Sequence, residues 1–392
     1  MKRIAVIFEG RIDQRMGVFN AVINRVKHLQ AIAPYRVDVY MIQVYDGWLM
    51  RQLRRTPKTV RPATFVEQGI HIKMLWYKRS WADSLRHRLL KRQPRNFLRW
   101  CSAMAWKLRG YDLVTAHDRL AGHMAAMAGT QLSIPHFITW HGGSINTDPF
   151  HDTVVMQSTR RLLAGARCNF GVSNALCHVA RQIEPSCVIA PLYNGASSEF
   201  HPYSAAQRQA LRQRYGLNAD TRVVIFVGRL DEDKKAFLLP DIFHHIQATY
   251  DGSLTFWTVG DGPLADTVAR SLAERLDSGD FKMWGKQDPS VIPHLLNCAD
   301  VLVLPSRMEG LPLVAIEAIA CGCNVVATRV GGTPEVVGEE NTVAVDDDLV
   351  PNMARRAVTM LQHHVEQSLP PAIDWRATAQ AENEHYLQAM AR

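Results

Sequence analysis

No stretch of this chain approaches the roughly 20 consecutive apolar residues that a membrane-spanning helix needs. The first apolar run, Ile4 to Phe8, is too short for a signal-peptide core and reads as a buried strand. Cysteine is sparse: there are seven, scattered, and the one close pair, Cys321 and Cys323, has no histidine or second pair to complete a zinc pattern. Reduced cytosolic thiols are the expectation. Neither a complete G-x-G-x-x-G nor a G-x-x-x-x-G-K-[ST] occurs, which disfavours dinucleotide oxidoreductases and P-loop ATPases. Acidic residues are scarce at one end. Residues 1–110 hold 23 Lys+Arg against 6 Asp+Glu, a balance of +17, whereas the remainder is at −9. Such an excess implies an anionic partner: a phosphate-bearing substrate, an anionic lipid surface or a nucleic acid. No RNA-binding motif accompanies it, so nucleic acid is not expected.

The 392 residues fit two domains better than one. Short apolar runs alternate with helical patterns. Strands are expected at 3–8, 36–44, 70–76, 111–116, 135–140, 168–172 and 187–191, then at 222–228, 254–259, 280–284, 300–304, 323–328 and 342–345. Helices such as 18–32, 119–129, 174–183, 262–276, 312–320 and 348–363 fit between them. The pattern predicts an α/β chain of two Rossmann-like, doubly wound parallel sheets, with ligands at the carboxyl ends of strands. The turn-rich Asn194-Gly195-Ala-Ser-Ser stretch divides a domain of residues 1–196 from one of 197–372. A last helix within 373–392 is expected to cross back onto the first domain.

The most informative stretch follows the run Val301–Leu304. There Glu309 and Glu317 stand eight apart, one in a strand-to-helix loop and one within the helix, with Pro312 in the first helical turn. The amides after Gly310, those of Leu311 and Leu313 among them, open a helix N-terminus, a seat for phosphate or a developing oxyanion. Two carboxylates flanking an anion seat suit a ligand with hydroxyls at both ends and phosphates between. A second loop, Gly228-Arg229 to Lys234-Lys235, carries two cations five apart; arginine grips phosphate oxygens in pairs and lysine adds a point charge. Gly260-Asp-Gly262-Pro263 fits either a plain turn or close backbone approach to a ligand ring.

In the first half, Gly10 and Gly17 flank a polar loop, and Gly17, after Met16, opens a helix able to meet a phosphate. His117-Asp118 and His141-Gly142-Gly143 end neighbouring strands, which makes both imidazoles candidates for acid/base or hydroxyl-binding work. Asp346 to Asp348 resembles a metal triplet, yet acids are common at a helix start and the structural reading is preferred. Residues 78–109 interleave Arg86, Arg88, Lys91, Arg92, Arg95 and Arg99 with tryptophans and leucines, divided into two helices by Pro94. They read as a membrane-facing basic surface or as a packing pair with a solvated basic face.

Together these motifs resemble glycosyltransferase family 4, the retaining nucleotide-sugar enzymes of the GT-B fold. The likeness is nearly continuous from Val227 to Val337, including Ala299-Asp300, Pro305-Ser306 and Gly331-Gly332-x-Pro-Glu335. It is looser in the first half, through Gly17, Ala116-His117-Asp118, Val172-Ser173 and Asn194-Gly195. The sequence departs from the family at Met16 and Lys235, where glycines are frequent, and at Ala196-Ser197.

The resemblance implies two domains facing a central cleft and transfer from a nucleoside-diphosphate sugar, a UDP-sugar ahead of a GDP-sugar, with no metal. Arg229 and Lys234 would hold the diphosphate with Gly17 and the amides of Gly310, Leu311 and Leu313. Glu309 would bind the sugar and Glu317 the ribose. Gly260, Gly262 and Lys286 would lie near the base, His117 at the transferring sugar, and His141 and Gly142 at acceptor or sugar. The acceptor would be lipid-linked, lipopolysaccharide or surface polysaccharide. The enzyme would sit in the cytoplasm, peripheral on the membrane face. A nucleotide-sugar epimerase, a phosphorylase, transfer to a soluble acceptor and an inactive scaffold stay open as alternatives.

Overall fold

Two sheets organise the computed structural model, which describes all residues except 13–16, 55–59, 276–279, 364 and 392. The chain divides into a unit of Met1–Asn194 with Trp375–Arg392 and a unit of Gly195–Asp374. The first holds β1 (Arg3–Glu9), β2 (Arg36–Tyr45), β3 (Thr64–Glu67), β4 (Ile70–Lys78), β5 (Leu113–His117), β6 (His136–Trp140), β7 (Cys168–Gly171) and β8 (Ile189–Pro191). Their order is β3-β4-β2-β1-β5-β6-β7-β8. The second holds β9 (Arg222–Val227), β10 (Leu254–Val259), β11 (Phe281–Gly285), β12 (Val301–Leu304), β13 (Asn324–Thr328) and β14 (Thr342–Val343), in the order β11-β10-β9-β12-β13-β14. All paired neighbours run parallel except β3, which is antiparallel to β4.

Because helices cover both faces, the central strands bury side chains on both of their faces. In β1, Ile4, Val6 and Phe8 pack with Phe19, Val22 and Val26 of the Val18–Ile32 helix. Ala5 and Ile7 face Phe97, Cys101 and Met124 on the other side. This two-sided burial is why the strands read as continuous apolar runs. Strand order reverses between β1 and β5 in one sheet and between β9 and β12 in the other. At such reversals the flanking loops splay apart, leaving the crevice where open α/β sheets bind ligands.

The Trp375–Met390 helix belongs to the first unit. Its Glu382 takes Arg25 in a two-pronged pair, with Nη2 2.8 Å and Nε 3.2 Å from the carboxylate oxygens, and both side chains are buried. Arg25 also donates to Thr139 Oγ1 at 3.1 Å, which ties both helices to β6.

Residues 78–109 form two helices that divide at Pro94, Trp81–Leu90 and Arg95–Ala105. The second is a packing helix: Phe97, Cys101 and Ala105 are buried and Trp100 lies against Tyr77 and Phe97. The first is different. Its one buried residue is Asp83, whose carboxylate accepts from the amides of Asn96 and Phe97 and from the Tyr77 hydroxyl. Trp81, Leu85, Leu89 and Leu90 are exposed. Among the described residues, no helix is long and apolar enough to cross a membrane.

Candidate active site

In the second unit the two candidate loops leave adjacent strands at the reversal point. One follows β9 and carries Arg229 and Lys234; the other follows β12 and carries Glu309 and Gly310. They are stapled together. Lys234 Nζ lies 2.5 Å from Glu309 Oε1, and Ser306 Oγ donates to that oxygen at 2.7 Å. Arg307 Nη2 reaches Asp233 Oδ1 at 2.5 Å, and the Arg307 amide donates to the Asp233 carbonyl at 2.8 Å.

Asp231 orders the cationic loop. One carboxylate oxygen accepts from the Lys234 amide at 3.0 Å, and the other stands 3.1 Å from Arg229 Nε. Reading the sequence gave Asp231 no role, since an acid among lysines looks like a solvated loop. Lys235 adopts φ +46°, the left-handed conformation that glycine takes without penalty, which accounts for the glycine frequent there in the family.

Gly260 and Gly262 have a purpose within the fold. A Cβ on Gly260 would stand 1.8 Å from the Gly228 carbonyl oxygen, and one on Gly262 2.3 Å from that of Leu230. Their missing side chains let the loop after β10 press against the Arg229 loop, sealed by Leu230 N to Asp261 O at 3.1 Å and Leu264 N to Leu230 O at 2.9 Å. Lys286 is exposed and follows the edge strand β11. Gly331, at φ +52°, likewise presses on the Glu309 carbonyl, where a Cβ would come within 1.7 Å.

The helix after Glu309 runs Leu313–Ala320, with Pro312 as its N-cap and not in its first turn as expected. The cap makes no side-chain hydrogen bond, and the Leu313 and Val314 amides have no helical acceptor by their position. Gly310 and Leu311, which precede the helix, are buried. Glu317 lies in the second turn. Loss of water around its carboxyl, and then the charge of Glu199, push its pKa up to about 8.

The first unit has its own cluster at a reversal point. His117 ends β5 and His141 follows β6; His117 Nδ1 and His141 Nε2 share a hydrogen bond of 2.9 Å, with the rings stacked at 5.2 Å. Burial, then Arg25, then His141 hold His117 well below the usual histidine range. Burial also takes His141 to about 4, although Asp118 works in the opposite direction. Both imidazoles are therefore neutral at pH 7. His117 Nδ1 is engaged by His141, and the His117 side chain is buried. Asp118 accepts from the His141 amide at 3.0 Å and from Ser144 Oγ at 2.5 Å. Gly142 caps the short helix Gly143–Asn146. Gly17 caps the Val18–Ile32 helix at φ +57° with open space where a Cβ would be; Met16, just before it, lies outside the described residues.

Asp346 to Asp348 lead into the Leu349–Gln362 helix, with Asp346 Oδ1 accepting from the Asp348 amide at 3.1 Å. Among the described residues, no group of three or more His, Cys, Asp or Glu is placed to hold a metal ion.

Residues 221–363 match the model of the family described as Glycosyl transferases group 1. A Bacillus subtilis chain named as a teichuronic acid biosynthesis glycosyltransferase, TuaC, is 26% identical over 389 residues, covering 97% of this chain and 93% of its own length. The lipopolysaccharide 1,2-N-acetylglucosaminetransferase of Salmonella typhimurium is 28% identical over 193 residues, 46% of this chain and 50% of that one. Among solved structures, Anabaena HepE in complex with UDP superposes with a TM-score of 0.70 at 19% identity, covering 100% of this chain and 96% of that one. The two sheets and these likenesses agree: the chain has the GT-B fold, and its second unit carries the match to the Glycosyl transferases group 1 model, which supports a glycosyltransferase.

Proposed function

We propose that the chain is a retaining, metal-independent transferase. It moves a sugar from a nucleoside-diphosphate donor, UDP-linked ahead of GDP-linked, to a hydroxyl of a lipid-linked, lipopolysaccharide or surface-polysaccharide acceptor. The observation that carries this is the Lys234–Glu309 contact at the β9/β12 reversal, which sets a phosphate-seeking cation beside a hydroxyl-seeking carboxylate. In this reading Arg229, Lys234 and the amides of Gly310, Leu311 and Leu313 hold the diphosphate. Each hydrogen bond to a charged group contributes about 1.5–3 kcal/mol. Glu309 takes sugar hydroxyls, Glu317 the ribose, and Gly260, Gly262 and Lys286 border the base. Gly17 and His117 are proposed for the diphosphate and the transferring sugar, and His141 and Gly142 for sugar or acceptor.

Charge builds on the leaving diphosphate as the glycosidic bond breaks. Fixed cations and amides stabilise it without a metal, and the acceptor attacks from the same face. Glu309 is held by Lys234 and Ser306, so it suits hydroxyl binding better than nucleophilic attack. An anionic membrane surface is the proposed partner of the Trp81–Leu90 helix, whose apolar residues are exposed beside Arg88, Lys91 and Arg92.

The test is turnover of labelled UDP- and GDP-sugars with a lipid-linked or glycan acceptor, reading the product anomer by NMR. Retained configuration, and loss of kcat with little change in donor KM for Glu309→Ala, are expected. An inverted product would overturn the retaining assignment. No turnover or binding with any nucleotide sugar would overturn the function.

A further inference from the structure

A cavity of about 220 Å³ lies at the carboxyl ends of β2 and β4 in the first unit, lined by Tyr45, Asp46, Gly47, Trp48, Arg51, Arg61 and Lys78. Three cations face it and only one carboxylate does. That carboxylate, Asp46, is already engaged by Arg79, whose Nε is 3.4 Å away. The cavity therefore carries a net positive charge that its own lining does not cancel.

The cations are also ordered. Arg61 lies over the Tyr45 ring at 4.6 Å, and Tyr45 meets Trp76 edge to face. The guanidinium is thus held with its donors in a fixed plane, the geometry that grips an oxyanion through two parallel hydrogen bonds. Gly47 lets the Lys78 side chain cross above it, since a Cβ there would stand 2.7 Å from Lys78 Cε. Trp48, 68% exposed, gives the cavity an apolar rim.

Position says what kind of ligand this is. The cavity is on the same edge of the sheet as His117. Two steps of the sheet separate β2 from β5, about 10 Å, and Tyr45 lies four residues beyond Met41, about 13 Å further out. That is within reach of a short oligosaccharide whose other end is at His117.

We propose that this cavity binds an oxyanion carried by the acceptor, a sugar carboxylate or the phosphate of a lipid linkage, and so selects acidic over neutral acceptors. The proposal rests on the glycosyltransferase reading above, and its test separates the two. Binding of methyl α-glucuronide, farnesyl diphosphate and the neutral methyl α-glucoside is measured by calorimetry on the full chain, with and without saturating UDP. UDP occupies the donor-phosphate site, so any remaining diphosphate binding reports the cavity. One of the two anions is expected to bind in the presence of UDP, and which one does identifies its source; the glucoside is not. Arg61→Gln with Lys78→Gln should weaken that anion at least tenfold while UDP affinity holds. Gly47→Ala, which displaces the Lys78 side chain without removing charge, should act in the same direction and serves if the double variant fails to fold. Equal anion affinity in wild type and variants, or no anion binding to the wild type, overturns the proposal. Anion binding without binding of UDP, GDP or any other nucleoside diphosphate would leave the cavity assignment standing and overturn the transferase reading.

Discussion

Lys234 and Glu309 belong to loops 75 residues apart in sequence, yet their charged atoms stand 2.5 Å apart. Glu309 is largely buried, and apart from Lys234 its Oε1 is met by Ser306. Removing the lysine therefore strands a desolvated carboxylate, which costs more than the lost attraction alone. Lys234→Ala should lower the melting temperature, and adding Glu309→Gln should restore part of it. The coupling in this double-mutant cycle is expected at about 0.5–3 kcal/mol. Additive effects would mean that the pair is not a unit. UDP binding is a separate readout: Lys234→Ala should weaken it tenfold or more.

Glu317 sets a pH dependence. Its folded pKa of about 8 exceeds the ordinary 4.5, so the folded chain keeps a proton that the unfolded chain has already released. This contribution to stability is fully present below pH 4.5 and is lost as pH rises through 8. Glu317→Gln removes the titration. Its melting temperature should match the wild type near pH 4.5 and exceed it at pH 9. Parallel curves across that range would show that Glu317 titrates normally.

How far the sequence could be read follows from how local each signal is. The Val18–Ile32 and Asn174–Ile183 helices have the expected bounds because their apolar residues recur at helical spacing and a local residue opens each one. Strand β3 was missed. It is four residues long, half-exposed, and pairs with β4 by folding back through Gln68-Gly69, so no apolar run marks it. The loop motifs named the cations and carboxylates. They did not name Asp231, because its role depends on which way two neighbouring side chains turn. Arg25 and Glu382 could not be paired from sequence at all; 357 residues separate them and neither sits in a motif.

Metal independence is testable directly. The proposed diphosphate contacts are Arg229, Lys234 and helix amides, and in that proposal fixed cations would do the work of a divalent ion. Turnover in excess chelator should stay near its untreated rate. Complete loss, restored by magnesium or manganese, would return Asp346 to Asp348 to consideration as ligands.

The Trp81–Leu90 helix makes the last prediction. Trp81, Leu85 and Leu89 recur at four-residue spacing, so they share one face, and they are 67%, 47% and 67% exposed. Asp83, on another face, anchors the helix by capping the one that follows. An exposed apolar stripe beside Arg88, Lys91, Arg92 and Arg95 fits an interfacial helix, with tryptophan at the headgroup level and cations toward anionic lipid. Each cation near the leaflet contributes about 1 kcal/mol, and that part fades in salt as the Debye length drops to about 3 Å at 1 M. The chain should float with anionic vesicles at low salt and much less with neutral ones. Changing Arg88, Lys91, Arg92 and Arg95 together to Ser should abolish the difference between the two. Changing Trp81, Leu85 and Leu89 to Ser should instead remove the salt-resistant remainder. The two sets therefore separate charge from insertion. Failure of the wild type to float with anionic vesicles at low salt would remove the membrane from the function and favour a soluble acceptor.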